Sequence, residues 1–208
     1  MRVQQVDIVS RRKGKPMAPN LYREDKATQA AALLLGLRGQ AMSYLKLLKL
    51  MYLADRAALL EFGSPITFDD YVCMDNGPVL SRTYSAITVE PDPRHPSYWS
   101  TYISAPKNYE VELLGKVAPS DQLSQAEEEI LKSVFAQYGQ LSRWELVDVT
   151  HRLPEWRDPE GSTLPIEYRQ ILQAEGWADD EFGEAEEAGV PVAVLEEDEG
   201  RRTVRQAD

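Results

Sequence analysis

At 208 residues and 43% hydrophobic content, the chain can bury one sizeable core and is too apolar for a disordered polypeptide. Its formal net charge of −11 repels phosphate backbones, which argues against direct nucleic-acid binding and for a basic protein partner. No apolar run reaches the ~18–20 residues that span a bilayer, no apolar signal core opens the chain, and Cys73 is a lone cysteine, so a reducing, cytoplasmic setting is expected.

The charge is unevenly placed. Residues 1–23 carry about +5, much of it in Arg11-Arg12-Lys13-Gly14-Lys15, and residues 177–208 carry about −8. The expected organisation is a flexible basic arm over 1–21, a helical domain over 22–176 and a mobile acidic tail over 177–208.

From Arg23 to Leu37, the spacing of Ala27, Ala30, Ala31, Leu34 and Leu37 predicts an amphipathic helix ended at Gly36 or Gly39. After a short connection over 38–42, Ser43 is positioned to cap the most apolar helix of the chain. Leu45, Leu47, Leu48, Leu50, Met51, Tyr52, Ala54, Ala58 and Leu59 wrap more than half of its circumference, which predicts a central helix packed on several sides. Gly63 and Pro65 end it. Residues 66–74, rich in Thr, Phe, Tyr and Val, read as an extended segment, Asn76-Gly77-Pro78 as a turn, and Pro78 as the opening of a helix over 79–89.

Pro91, Pro93 and Pro96 make 90–96 a loop. Residues 98–104 and 109–117 have β-type composition around the turn 105–108, predicting an antiparallel hairpin that 66–74 could join as a third strand. A helix follows over 123–138, with Ser124 and Glu127 in the spacing of a capping box. Another starts at Ser142, and a last one covers 166–175 before Gly176. The fold class expected is mainly α, a compact helical domain with a small antiparallel hairpin or three-stranded sheet.

Lys46-Leu47-Leu48-Lys49-Leu50-Met51-Tyr52-Leu53-Ala54-Asp55-Arg56 is followed by Gly63-Ser64-Pro65-Ile66 and by Met74-Asp75-Asn76-Gly77-Pro78-Val79. Lys26-Ala27-Thr28-Gln29-Ala30-Ala31 precedes these pieces and Leu153-Pro154-Glu155-Trp156-Arg157-Asp158 follows them. In this order and spacing the chain resembles, over about 22–176, the Panacea domain. That family includes the SocA-like proteolysis adaptor and antitoxins of bacterial and phage toxin–antitoxin pairs. The resemblance implies an antitoxin that neutralises a cognate protein toxin, encoded by a neighbouring gene, through direct protein–protein binding. The alternative it leaves open is an adaptor that delivers a bound partner to an ATP-dependent protease.

Partner-binding candidates come from two stretches. Lys46, Lys49, Asp55 and Arg56 interrupt the apolar helix, and Lys49 and Arg56, seven residues apart, project similarly. The commoner role for such an acid is structural, Asp55 being paired with Lys49 or hydrogen-bonded to neighbouring backbone. Asp75, Asn76, Gly77 and Pro78 form a loop able to carry recognition, with Arg82 just beyond it. Cys73 and His151 could together suggest a nucleophile and base, an uncharacterised hydrolase being the weakest reading, because a free cysteine more often simply packs. The histidines and acids lack metal-site spacing, and no cofactor motif is present, so neither a catalytic residue nor a cofactor is assigned.

Overall fold

The computed structural model describes residues 21–90, 92–115 and 120–177. The arm over 1–21 and the tail over 177–208 therefore lie, but for Leu21 and Trp177, outside the described residues. Among the described residues, seven helices and five short strands, in two antiparallel sheets, make the fold mainly α.

The first helix, α1 (Glu24–Arg38), buries Ala27, Ala30, Ala31, Leu34 and Leu35. It stops because Gly39 takes a left-handed φ of 98° while the Gln40 N–H reaches back to the Leu35 carbonyl at 2.8 Å. A three-residue strand, β1 (Ala41–Ser43), leads into α2 (Tyr44–Phe62), the helix around which the domain is built. Twelve residues of α2 are buried, Lys46, Lys49 and Asp55 among them. It packs against α1, against the helices and strand β3 described below, and ends at Gly63 with a φ of 69°. Ser43 occupies the N-cap position, but its side chain makes no cap bond. Its backbone belongs to a β-ladder, and its Oγ is buried without a partner.

Next, β2 (Tyr71–Met74) and β3 (Gly77–Leu80) form a tight hairpin, and α3 covers Ser81–Thr88. The sequence placed a helix start at Pro78, whereas Pro78 lies inside β3, opposite Cys73. A proline is tolerated there because β3 is an edge strand of the order β3-β2-β5, where a missing N–H removes no ladder bond. The helix begins later because the Asp69 carboxylate accepts from the Arg82 and Thr83 N–H groups at 2.8 and 2.9 Å.

The expected hairpin over 98–117 does not form as such. Tyr98–Tyr102 is a short helix, α4, capped by the Ser97 side chain, with Trp99 buried in the core. Trp99 and Ile103 are buried while Thr101 between them is not, which fits one face of a helix rather than strict alternation. Strand β4 (Glu110–Glu112) pairs instead with β1, and two isolated bridges, Ile103–Leu113 and Lys107–Glu110, are what remains of the predicted ladder. Likewise 66–74 contributes to the other sheet, as β2.

Capping boxes define the next two helices. Ser124 and Glu127 start α5 (Gln125–Tyr138), and Ser142 and Glu145 start α6 (Arg143–Thr150). The last predicted helix is shorter than expected: Leu164–Ile166 forms β5 on the free side of β2, and α7 covers Tyr168–Ala174. Its register against β2 puts Ile166 across from Tyr71, so tertiary pairing claims the residues that local periodicity assigned to the helix.

Candidate partner-binding site

The polar residues of α2 are distributed by its turn. Lys49, Tyr52 and Arg56 share one side and all face the segment that runs from the end of α6 to Glu155. Lys49 is wholly buried, and its Nζ donates to the Pro78 carbonyl at 2.7 Å. Gly77 lies against the same ammonium: a Cβ there would stand 2.8 Å from Lys49 Nζ, 2.7 Å from Thr150 Oγ1 and 3.1 Å from His151 Cδ2. Only glycine fits this close approach, at a φ of 92°. Burial pushes the Lys49 pKa down to about 7. His151, stacked on Trp156 with ring centroids 4.0 Å apart, is also held below its ordinary pKa, first by burial and then by the Lys49 charge.

One turn along, Tyr52 and Arg56 converge on Glu155. The Tyr52 hydroxyl and Arg56 Nε each donate to Glu155 Oε1 at 2.8 Å. Arg56 also donates to Glu175 at 2.7 Å, fastening the end of α7 to the same helix. The Glu155 side chain is fully buried, so this is an ion pair with its charges desolvated and its lone pairs engaged.

Asp55 points to another side and is not paired with Lys49. It accepts from the Thr67 N–H at 3.1 Å, from the Thr67 hydroxyl, and from the Tyr71 hydroxyl at 3.1 Å. Burial, with the nearby Asp69 carboxylate adding to it, raises its pKa to about 7 against the bonds from Thr67 and Tyr71. Thr67 links both acids, since its Oγ1 also accepts from the Asp69 N–H at 3.2 Å. Lys46, at the start of α2, donates to the Gly139 and Leu141 carbonyls at 2.6 Å each, neutralising the negative end of α5.

The remaining candidates lie nearer the surface. Asp75 and Asn76 form the exposed tip of the β2–β3 hairpin, and Asp75 accepts from the Gly161 N–H at 3.1 Å. Arg82 pairs with Asp70 at 3.0 Å at the other end of β3. Lys49, Gly77 and Pro78 thus come together, Arg56 is close by on the same helix side, and Asp55, Lys46 and Arg82 are elsewhere. Cys73 is buried in β2, its Sγ 3.4 Å from the Arg157 N–H and 3.9 Å from the Glu155 carbonyl. No group of three or more potential metal ligands occurs among the described residues.

A family model for the antitoxin SocA-like Panacea domain matches residues 47–157, which is more than half of the chain. The chain belongs to this family. No curated protein and no solved structure matches it. The matched span of the Panacea domain holds α2 from Leu47, the hairpin that covers Lys49, and the Glu155 anchor. Thus the buried polar contacts between α2 and 150–155 lie inside the family's shared region, whereas Glu175 lies beyond it. Sequence reading singled out Arg56 but not its partner. The available signal was an acid between Pro154 and Trp156 in a segment otherwise turning on apolar residues. Thr67, Asp69 and Thr150 carried no signal that one sequence could reveal.

Among the described residues, no helix is long and apolar enough to cross a membrane. As a member of an antitoxin family, the protein has a toxin as its implied partner.

Proposed function

We propose that this Panacea-domain protein neutralises a cognate protein toxin by binding it directly and covering its active surface, in the cytoplasm and without chemistry of its own. The observation that carries the reading is the family match over 47–157. Two features support it. The polar side chains of the central helix are occupied in architectural bonds: Lys49 to Pro78, Asp55 to Thr67 and Tyr71, Arg56 to Glu155. The accessible surface, by contrast, retains large apolar side chains of the kind that anchor interfaces, Tyr109 and Trp144 above all.

Affinity would come from burying such anchors, and orientation from the acidic charge of the chain meeting a basic toxin. The test is co-expression with the product of the neighbouring gene. Rescue of growth together with a complex that survives purification at constant toxin level is the expected result. Rescue accompanied by disappearance of the toxin would mean delivery to a protease instead, and absence of both binding and rescue would refute the proposal.

A further inference from the structure

Six large hydrophobic residues are conspicuously exposed among the described residues: Leu37, Phe62, Val89, Tyr109, Leu114 and Trp144. Four of them gather at one end of the molecule, around the first turn of α2. Leu37 is in the last turn of α1, three residues before Gln40, whose carbonyl accepts from the Leu113 N–H at 3.0 Å. That bond brings Leu114 to the same end. Tyr109 is joined to the start of α2 through its carbonyl, which accepts from the Tyr44 N–H at 3.0 Å, and its ring lies 6.3 Å from that of Tyr44. Trp144 follows Leu141, whose carbonyl binds Lys46 in that first turn.

None of these side chains is needed to close the core. Trp144 is 54% and Tyr109 67% exposed, and the buried side of α6 is made by Leu146, Val147 and Thr150. An isolated exposed leucine is ordinary, but a tryptophan, a tyrosine and two leucines on segments that meet at one helix start supply the large apolar side chains that an interaction site uses. The Arg143 guanidinium lies 5.2 Å from the Trp144 ring centroid, which pre-orders the indole.

The charge of the domain as a whole indicates what this end meets. Glu110 and Glu112 border Tyr109 and Leu114, and Glu145 and Asp148 share the exposed side of α6 with Trp144. Lys46, on two neutral backbone carbonyls, and Arg143, over its neighbour's ring, keep their charges, and Arg38 and Lys107 are exposed, so among the described residues this end is mixed in sign. Over 21–177 the domain carries 22 acids against 15 basic residues. Long-range attraction therefore favours a cationic partner, while the apolar side chains supply the contact.

The geometry points to this end of the domain, centred on Tyr109 and Trp144, as the face that seats the toxin, the partner being a protein of net positive charge that meets it through apolar side chains. This rests on the direct-binding reading above. On this assignment Lys49 and Asp55 support the fold from inside, and the contact surface is formed by residues of α1, β4 and α6.

The test uses the full chain, the co-purified neighbouring-gene product as the probe, and Trp144→Glu, Tyr109→Glu and the milder Trp144→Ala, with Val89→Glu as an exposed apolar control remote from the patch. Circular dichroism and the melting temperature check that each variant is folded. Losing an anchor of this type is expected to weaken binding by about 30-fold or more, with Val89→Glu binding as the parent does and with affinity falling as salt rises. Parent-like binding by folded Trp144 and Tyr109 variants would overturn the assignment while leaving direct binding intact. So would a salt-independent affinity, or light scattering showing that the patch joins two copies of this chain. If the parent itself does not bind, the direct-binding reading falls and this one with it.

Discussion

Replacing Lys49 with methionine tests whether the central lysine is a buried cation held at a cost. Lys49 is fully buried with one carbonyl acceptor, and its pKa is pushed down from 10.5 to about 7. Between those two pH values the unfolded chain holds the proton and the folded chain does not, so folding stability rises with pH across this window. Below about pH 7 both states are protonated and the destabilisation is fully present, on the order of 5 kcal/mol. Raising the pH from 7 to 9 should relieve about 2 kcal/mol of it. Lys49→Met keeps an unbranched apolar stem and abolishes the titration, while leaving the Pro78 carbonyl without its donor at a cost of about 1–3 kcal/mol. The measurement is urea unfolding followed by tryptophan fluorescence at pH 7, 8 and 9. Because the other titrating groups are common to both proteins, the difference between parent and variant isolates Lys49. That difference should move by about 2 kcal/mol toward the parent between pH 7 and 9. Parallel curves would refute the reasoning and mean that water or a second acceptor reaches the ammonium.

Asp55 gives the opposite slope. Its pKa is raised from 3.8 to about 7, so the folded chain holds the extra proton and the parent should lose about 2 kcal/mol from pH 5 to 7, a loss absent from Asp55→Asn in the same unfolding assay. Gly77→Ala would place a methyl 2.7 Å from Thr150 Oγ1 at a φ of 92°, and should cost about 2–5 kcal/mol by chemical denaturation. Gly161→Ala, at a φ of 77° with nothing within 4 Å of the new Cβ, should cost only about 1–2 kcal/mol and serves as its control. Glu155→Ala strands the Tyr52 hydroxyl and takes from Arg56 its buried carboxylate, leaving it the half-exposed Glu175, and should cost about 3–5 kcal/mol. Glu175→Ala removes a partner that is 44% exposed and should cost less than about 1 kcal/mol; a larger loss there would show that α7 depends on this one pair.

The inward position of Lys49 and Asp55 also changes how binding mutants are to be interpreted. Substitutions at either residue alter the packing of α2 against the hairpin or against 67–71, so weakened toxin binding there would need a stability measurement beside it. Arg56 is intermediate, its side chain 11% exposed and committed to Glu155 and Glu175. Asp75, Asn76 and Arg82 remain accessible at the two ends of β3.

By itself the sequence determined the features that neighbouring residues decide. The centrality of α2, its end at Gly63, the close-packing alanines of α1 and the capping box at Ser124 all follow from contacts three or four residues apart, and all appear as expected. The family resemblance was legible for the same reason, as short local pieces in order. Only the tertiary structure decided the pairings that close long loops. β4 keeps only isolated bonds to 98–104 nearby and forms its ladder with β1 across some seventy residues, and 164–166 became a strand because β2 offered it an edge. Likewise one sequence could mark Asp55 and Arg56 as unusual in an apolar helix but could not name Thr67, Tyr71 or Glu155 as their partners. A buried charge needs a partner wherever one is brought to it, and what brings it is the packing of the whole chain.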